Sequence, residues 1–398
     1  MIFIKPNGKV KQYGNLKQMS AIEPPLWIAC LASYYGDSTV IDAEVMNMDS
    51  EDILRNIDKS QKIVIFPTGS FSSAFFQQRG VAHELEEYLI DSGVKDVEVW
   101  EKMNIDPTNT VINWDLLPMD KYKAPNWHSW GRKDRKYGAT FTSISCPYGC
   151  SFCSIHDFYS CKFKRRNLKL AIDDIVMLYS KWGITNFKLM DEMFLLGKDH
   201  VLRFCKLLRE TGLSDKLNIW AYARIDTATP DLLETMYSSG MKWVSYGIES
   251  GNAEIRKSYN KGGFSNEDIR NVVKTTHDVG MSIVGNFIFG LYDDNLDTLQ
   301  QTLDFAQELN CEFSNFFCYV NYKDKNKPPI EFAQYSPYFK PEHTKYLTSA
   351  QVVKFRDDAF HKYYTDSQYL DMIQRKFGKE ASDSMRELTK IRLERNLR

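Results

Sequence analysis

Short apolar runs and amphipathic stretches alternate along most of this chain. Residues 1–4, 38–41, 62–66 and 96–100 predict strands, and residues 25–35, 50–57 and 81–92 between them predict helices. That β-α-β order implies an open, mostly parallel sheet with helices on both faces. The alternation stops over residues 103–138. Pro107, Pro118, Pro125 and Gly131 exclude a long helix there, and Trp114, Trp127 and Trp130 predict a packed connector, since a disordered linker is poor in aromatics. From residue 139 a more regular alternation predicts strands over 139–145, 185–190, 218–224, 242–248, 282–289 and 313–320. Apolar sets at helical spacing separate them, such as Ile172, Ile175, Val176 and Tyr179, or Val201, Phe204, Cys205 and Leu208. Thr229-Pro230 and the Ser265 to Asp268 box mark helix starts. The expected fold is α/β: a doubly wound parallel sheet (1–102), a connector (103–138), a (βα)6 partial TIM barrel (139–330) and a helical C-terminal segment (331–398).

Composition narrows the partners. The 51 basic and 52 acidic residues among 398 leave a net charge of -1, so no global field draws the chain to nucleic acid or an acidic membrane. The basic stretch 390–398 is read as a solvated end. No apolar run approaches the roughly 20 residues of a membrane span, and residues 1–4 read as a strand instead of a signal peptide. A cytoplasmic location follows, where the eight cysteines serve metal binding and packing, not disulfides. Cys30, Cys205, Cys311 and Cys318 sit among apolar neighbours and are expected in the core.

The chemistry is concentrated in T-S-I-S-C-P-Y-G-C-S-F-C-S, residues 142–154, where Cys146, Cys150 and Cys153 form C-x-x-x-C-x-x-C. Three soft thiolates on one loop suit an iron–sulfur cluster or zinc, and buried structural cysteines are the plainer alternative. One metal position is left unclaimed, with His156 and Cys161 the nearby residues able to close it. Parallel barrels work at the carboxyl ends of their strands. Asp191-Glu192, Arg224-Ile225-Asp226, Glu249-Ser250-Gly251, Asn286, Tyr319 and Asn321 fall there. Each has a structural reading too: Asp191 or Asp226 as helix caps, Arg224 as the partner of Glu192 or Glu249. In the first sheet the equivalent positions are 42–44 and Pro67-Thr68-Gly69-Ser70.

With Phe152 before the last cysteine, residues 139–320 resemble the radical S-adenosylmethionine superfamily. The resemblance implies that Cys146, Cys150 and Cys153 hold a 4Fe-4S cluster whose fourth iron takes the amino and carboxylate groups of S-adenosylmethionine. It implies further that Glu192 lies near that amino group, Arg224 near the carboxylate, Glu249 and Ser250 near the ribose or methionine portion, and Phe152 near the adenine. P-P-L-W-I-A-C-L-A-S-Y-Y, I-D-A-E, I-F-P-T-G-S and W-D-L-L-P-M-D-K-Y are similar to the cobalamin-binding domain and connector that precede the barrel in one subclass. That likeness makes cobalamin a further cofactor, with Thr68 and Ser70 as contacts. The sequence departs from it in being short between Trp100 and Trp114, as if a strand–helix unit were missing, and in lacking D-x-H-x-x-G. The implied activity is radical cleavage of S-adenosylmethionine, with cobalamin-dependent methylation of an unactivated carbon of a small-molecule substrate. A cobalamin-independent radical enzyme and a non-catalytic metal-stabilised protein are the alternatives. An electron donor such as flavodoxin or ferredoxin is the implied protein partner, and no nucleic-acid partner is indicated.

Overall fold

Burial on both faces shapes the first sheet. In the computed structural model, which describes residues 1–16, 20–68, 72–159, 162–324 and 327–396, β1 (Ile2–Lys5), β2 (Thr39–Asp42), β3 (Ile63–Ile65) and β4 (Val97–Val99) pair in parallel. Their order is β2-β1-β3-β4. Ile2, Ile4, Ile63 and Ile65 pack on one face with Ile53, Leu85 and Leu89. Phe3 and Val64 join the other face's core with helix Leu26–Tyr35. The helix expected from residue 81 instead spans Ser72–Asp91. Its first turns bury Phe75 and Phe76 against Phe66, Phe158 and Tyr322, a tertiary gain that overrides the interruption at Gly80. Among the described residues no fifth strand joins this sheet.

The connector follows as short 3-10 turns. Trp114 is fully buried and its indole N–H donates to Asp174 at 2.9 Å. Trp127 stacks on Phe313 and meets Trp220 and Trp243 edge-on, with centroids 5.0 to 5.5 Å apart. Those three belong to early positions of barrel strands, so the connector covers the amino ends of that sheet. His128 beside it is fully buried, and its carbonyl accepts from Asn218 at 2.6 Å.

The second sheet contains β5 (Tyr137–Thr140), β8 (Asn186–Leu189), β9 (Asn218–Ala223), β10 (Met241–Glu249), β11 (Ser282–Phe289) and β12 (Phe313–Cys318). All pair in parallel, in chain order, with β5 and β12 at the edges: the (βα)6 partial barrel. The strand expected over 139–145 breaks after Thr140. Buried Asp191, just beyond β8, accepts from the Thr142 amide at 2.7 Å and from the Thr142 and Ser143 hydroxyls at 2.6 Å each. Those bonds pull the chain off the ladder. It re-forms as a two-residue strand, β6 (Ser143–Ile144), antiparallel to β7 (Lys164–Arg165). The cysteine loop is carried between β6 and β7, closed at its base by this ribbon.

Three helices follow the barrel, Ser349–Tyr364, Ser367–Phe377 and Lys379–Lys390. These helices and the segment before them bond β12 as a strand would. The Tyr364 hydroxyl accepts from the Ser314 amide and donates to its carbonyl, and the Gln334 amide group does the same for Cys318. The basic end is not simply solvated: Arg395 donates to both Asp357 carboxylate oxygens and to the carbonyls of Gln334 and Ser336. Cys30, Cys205, Cys311 and Cys318 are buried as expected. Among the described residues no helix is long and apolar enough to cross a membrane.

Two measurements check this account. Asp191→Ala leaves a buried amide and two hydroxyls without their acceptor and is expected to cost about 3 kcal/mol, read from the urea midpoint. Burial pushes the His128 imidazole down to about 3 from 6.5. The unfolded chain therefore takes up a proton that the folded chain refuses, and stability falls as pH drops below 6.5, by up to about 1.4 kcal/mol per pH unit. His128→Phe is expected to flatten that acid limb, measured by urea unfolding at several pH values between about 7 and 5.

Candidate active site

Ser145, at φ +64°, turns the chain out of β6 into the cysteine loop. Cys146, Cys150 and Cys153 are each half-buried and all line one cavity of about 540 Å³. The Cys150 thiol donates to the Asn260 carbonyl at 3.6 Å, and an Arg224 N–H points at its sulfur from 3.9 Å. Burial pushes the Cys153 thiol up to about 12 and raises Cys146 as well. Without a positive centre to bind them as thiolates, these groups stay protonated at neutral pH. His156 is turned away, its ring nitrogen 3.0 Å from the Tyr148 carbonyl, and it does not line the cavity. Cys161 lies outside the described residues.

The barrel's carboxyl ends supply the opposite wall. Phe152, Glu192, Arg224 and Glu249 all line the same cavity as the cysteines. Arg224 pairs with neither acid foreseen for it; it grips Asp226 through two N–H groups, at 2.9 and 2.8 Å, and lies 3.9 Å above the Tyr148 ring. Burial works to lower its pKa, but Asp226 outweighs that and leaves it raised. Glu249 ends β10 in the left-handed region, φ +67°, and pairs with buried Lys261 at 2.8 Å. Gly247 lies beside them, and a Cβ there would meet the Glu249 carboxylate and come within 2.6 Å of the Lys261 nitrogen, so a larger residue would push this ion pair aside. Ser250 is not brought to the cavity: its hydroxyl meets Thr302 at 3.2 Å and accepts from the Asn252 amide, bracing the turn behind Glu249. Asp191 and Asp226 cap no helix, being committed to Thr142 and Arg224. Asn286 lines the wall and bridges Ser245, the Tyr246 carbonyl and Asn315, and Tyr319 lines it too, whereas Asn321 does not.

The first sheet faces the same space. Thr68, just past β3, is buried and lines the cavity, as do Lys5 and Glu44. Ser70 lies outside the described residues. Lys5 pairs with Glu44 at 3.2 Å, and the Tyr122 hydroxyl donates to Asp42 at 2.9 Å, so polar side chains already occupy the carboxyl ends of β1 and β2.

Among the polar wall residues that sequence reasoning missed are Glu23, Lys188 and Lys261. Lys188 had a readable signal, being a charge in the middle of the apolar strand N-F-K-L. Lys261, in a turn after a short helix, had none.

Part of the chain is similar to known proteins. The model of the radical SAM superfamily matches residues 141–306. An uncharacterized methyltransferase of Pyrococcus horikoshii is 26% identical over 206 residues, 52% of this chain and 42% of the relative. The bacteriochlorophyllide d C-12(1)-methyltransferase of Chlorobaculum tepidum is 30% identical over 231 residues, 55% and 50% respectively. The chain thus spans half or less of the length of these relatives. The solved structure of TsrM, a radical S-adenosylmethionine methyltransferase from Kitasatospora setae, shares the fold at a TM-score of 0.59 and 13% identity, covering 80% of this chain and 74% of that one. The matched residues 141–306 include the cysteine loop and the Glu192, Arg224 and Glu249 rim, so it is this part of the chain that is similar to the radical SAM superfamily.

Proposed function

We propose that this chain is a radical S-adenosylmethionine enzyme that holds a 4Fe-4S cluster on Cys146, Cys150 and Cys153 and methylates an unactivated carbon with cobalamin as methyl carrier. The observation that carries the reading is one cavity shared by the three cysteines, the charged barrel rim and Thr68 of the other sheet. The donor set fits a cluster. A cube takes each thiolate on a different iron, whereas structural zinc draws four ligands to one point. The relatives support methylation: the curated ones above are methyltransferases, and the TsrM structure holds cobalamin and a 4Fe-4S cluster.

When bound, the cluster supplies the electron that splits S-adenosylmethionine into methionine and a 5′-deoxyadenosyl radical, and cobalamin supplies a transferable methyl group. The chain's own residues orient and shield. Glu192 accepts from the methionine amino group. Arg224, kept cationic and aimed by Asp226, takes the carboxylate beside Cys150. Glu249, fixed by Lys261, receives ribose hydroxyls, and Phe152 lies against the adenine. Ser250 acts one layer back, holding the turn that presents Glu249. Reducing equivalents come from a flavodoxin- or ferredoxin-type donor.

One observation favours a second reading, a radical reaction without cobalamin. Among the described residues the first sheet stops at β4, and the Lys5–Glu44 and Tyr122–Asp42 contacts already occupy the carboxyl ends of β1 and β2.

Anaerobic reconstitution decides between them. Wild type with reductant and S-adenosylmethionine is expected to yield 5′-deoxyadenosine, and Cys150→Ala to lose it by about a hundred-fold or more. S-adenosylhomocysteine should appear only when cobalamin is supplied. Its formation without cobalamin removes the first reading, and a Cys150→Ala variant as active as wild type removes both. Arg224→Lys, which loses the forked grip on Asp226, is expected to raise the KM for S-adenosylmethionine about ten-fold with a smaller change in kcat.

A further inference from the structure

The turn at residues 259–262, which follows the helix Ala253–Ser258, reaches both halves of the site. Toward the cysteine loop, the Tyr259 carbonyl accepts from the Ser151 amide at 3.1 Å and the Asn260 carbonyl from the Cys150 thiol at 3.6 Å. Toward the rim, the Lys261 carbonyl accepts from Arg224 at 3.5 Å and the Lys261 ammonium pairs with Glu249 at 2.8 Å. Arg256 underlies this turn without lining the cavity. Its own carbonyl accepts from the Lys261 amide at 3.0 Å. Arg256 is 1% exposed, and its guanidinium donates to the Ser250 carbonyl at 2.6 Å, the Phe264 carbonyl at 3.2 Å and the Asn266 side-chain oxygen at 2.8 Å. Asn266 in turn donates to the Gly251 carbonyl at 2.9 Å. Burial lowers the Arg256 pKa with no acid opposing it, so neutral oxygens alone hold this cation.

We propose that Arg256 is a positioning residue for S-adenosylmethionine: by tying the Ser250 turn to the start of the helix Asn266–Asp278, it fixes the turn 259–262 and, through it, the spacing between Cys150 and the Arg224 and Glu249 rim. This deepens the proposed function and rests on its reading of the cavity as a radical active site. A buried cation without a counter-charge is costly. Its planar fork gives in return what a flexible ammonium does not, three acceptors from separate stretches held at fixed spacing. That spacing matters because the cofactor has to reach from the cysteine loop to the rim at once, and a misplacement of about 1 Å is worth roughly a hundred-fold in rate. Arg256 acts only through other groups: Ser250 behind Glu249, and the Asn260 and Lys261 carbonyls beside Cys150 and Arg224.

Electron paramagnetic resonance of the reduced, reconstituted full chain, titrated with S-adenosylmethionine, tests this alongside KM and kcat for deoxyadenosine formation. The wild-type cluster signal is expected to change as the cofactor takes the fourth iron. Arg256→Met should move the midpoint of that change and the KM up about ten-fold or more, with a smaller change in kcat and unaltered iron and sulfide content. Asn266→Ala, at the half-buried start of its helix, removes one acceptor and the tie to Gly251. It should raise both quantities about three-fold and gives an independent answer if Arg256→Met does not fold. Variants that melt earlier or load less iron, yet keep the wild-type midpoint and KM, reveal a purely structural brace and overturn the proposal while leaving the radical reading intact. A wild-type signal indifferent to S-adenosylmethionine, with no deoxyadenosine formed, overturns the radical reading itself and the positioning role with it.

Discussion

A single buried carboxylate decides where the first barrel strand stops. Asp191 takes the Thr142 amide that would otherwise continue β5, together with the Thr142 and Ser143 hydroxyls, and the chain leaves the sheet at Thr142. Its position just past β8 ties that exit to the neighbouring strand, so the cysteine loop is hung from two adjacent strands and not from a free end. The ribbon of β6 and β7 and the turn at Ser145 follow from that exit. Arg166, one residue past β7, continues the same logic: it is buried, donates to Asp174 at 2.6 Å, and through Asp174 is linked to Trp114 of the connector. Loop, barrel and connector thus share one chain of buried polar contacts, in which each group is expensive to leave unpaired.

The cavity wall is balanced charge by charge. Four cations and four glutamates line it among the described residues, and the ion pairs cross between separate elements: Glu23 with Lys188, Glu249 with Lys261, Glu44 with Lys5. Such balance lets a space bounded by Trp220, Phe313 and Phe317 hold polar groups without carrying a net field of its own. The left-handed backbone at Glu249 belongs to the same economy of space. It brings a carboxylate over Gly247, where a Cβ would meet it, and the adjoining Ser250–Thr302 contact keeps the turn in place.

Much of this was legible in the sequence, for identifiable reasons. The six barrel strands were visible because helices with clear 3.6-residue spacing separate them, and the cysteine spacing marked the loop. Residue types at strand ends pointed to Glu192, Arg224 and Glu249, which the fold does gather on one cavity. What could not be read depends on partners distant in the chain. Asp191 acts on residues nearly fifty positions away, Arg224 chose Asp226 over two acids at other strand ends, and Ser250 turned toward a helix that begins at Leu296. Likewise, the helix at Ser72–Asp91 begins early only because Phe75 and Phe76 find aromatic neighbours from both sheets' loops. Local pattern names the candidates, and side-chain direction is settled by contacts that pattern does not contain.

An open barrel has two edge strands, and each exposes a row of amide and carbonyl groups able to recruit another strand. At β12 that row is answered from the C-terminal segment by Tyr364, Gln334 and Arg356, whose side chains bond the Ser314, Cys318 and Phe316 backbone in place of a seventh strand. The side chains make the contacts but offer no ladder of their own for a further chain to join. The sheet is thereby finished without being closed, and self-association through this edge would first require the helices to be peeled away.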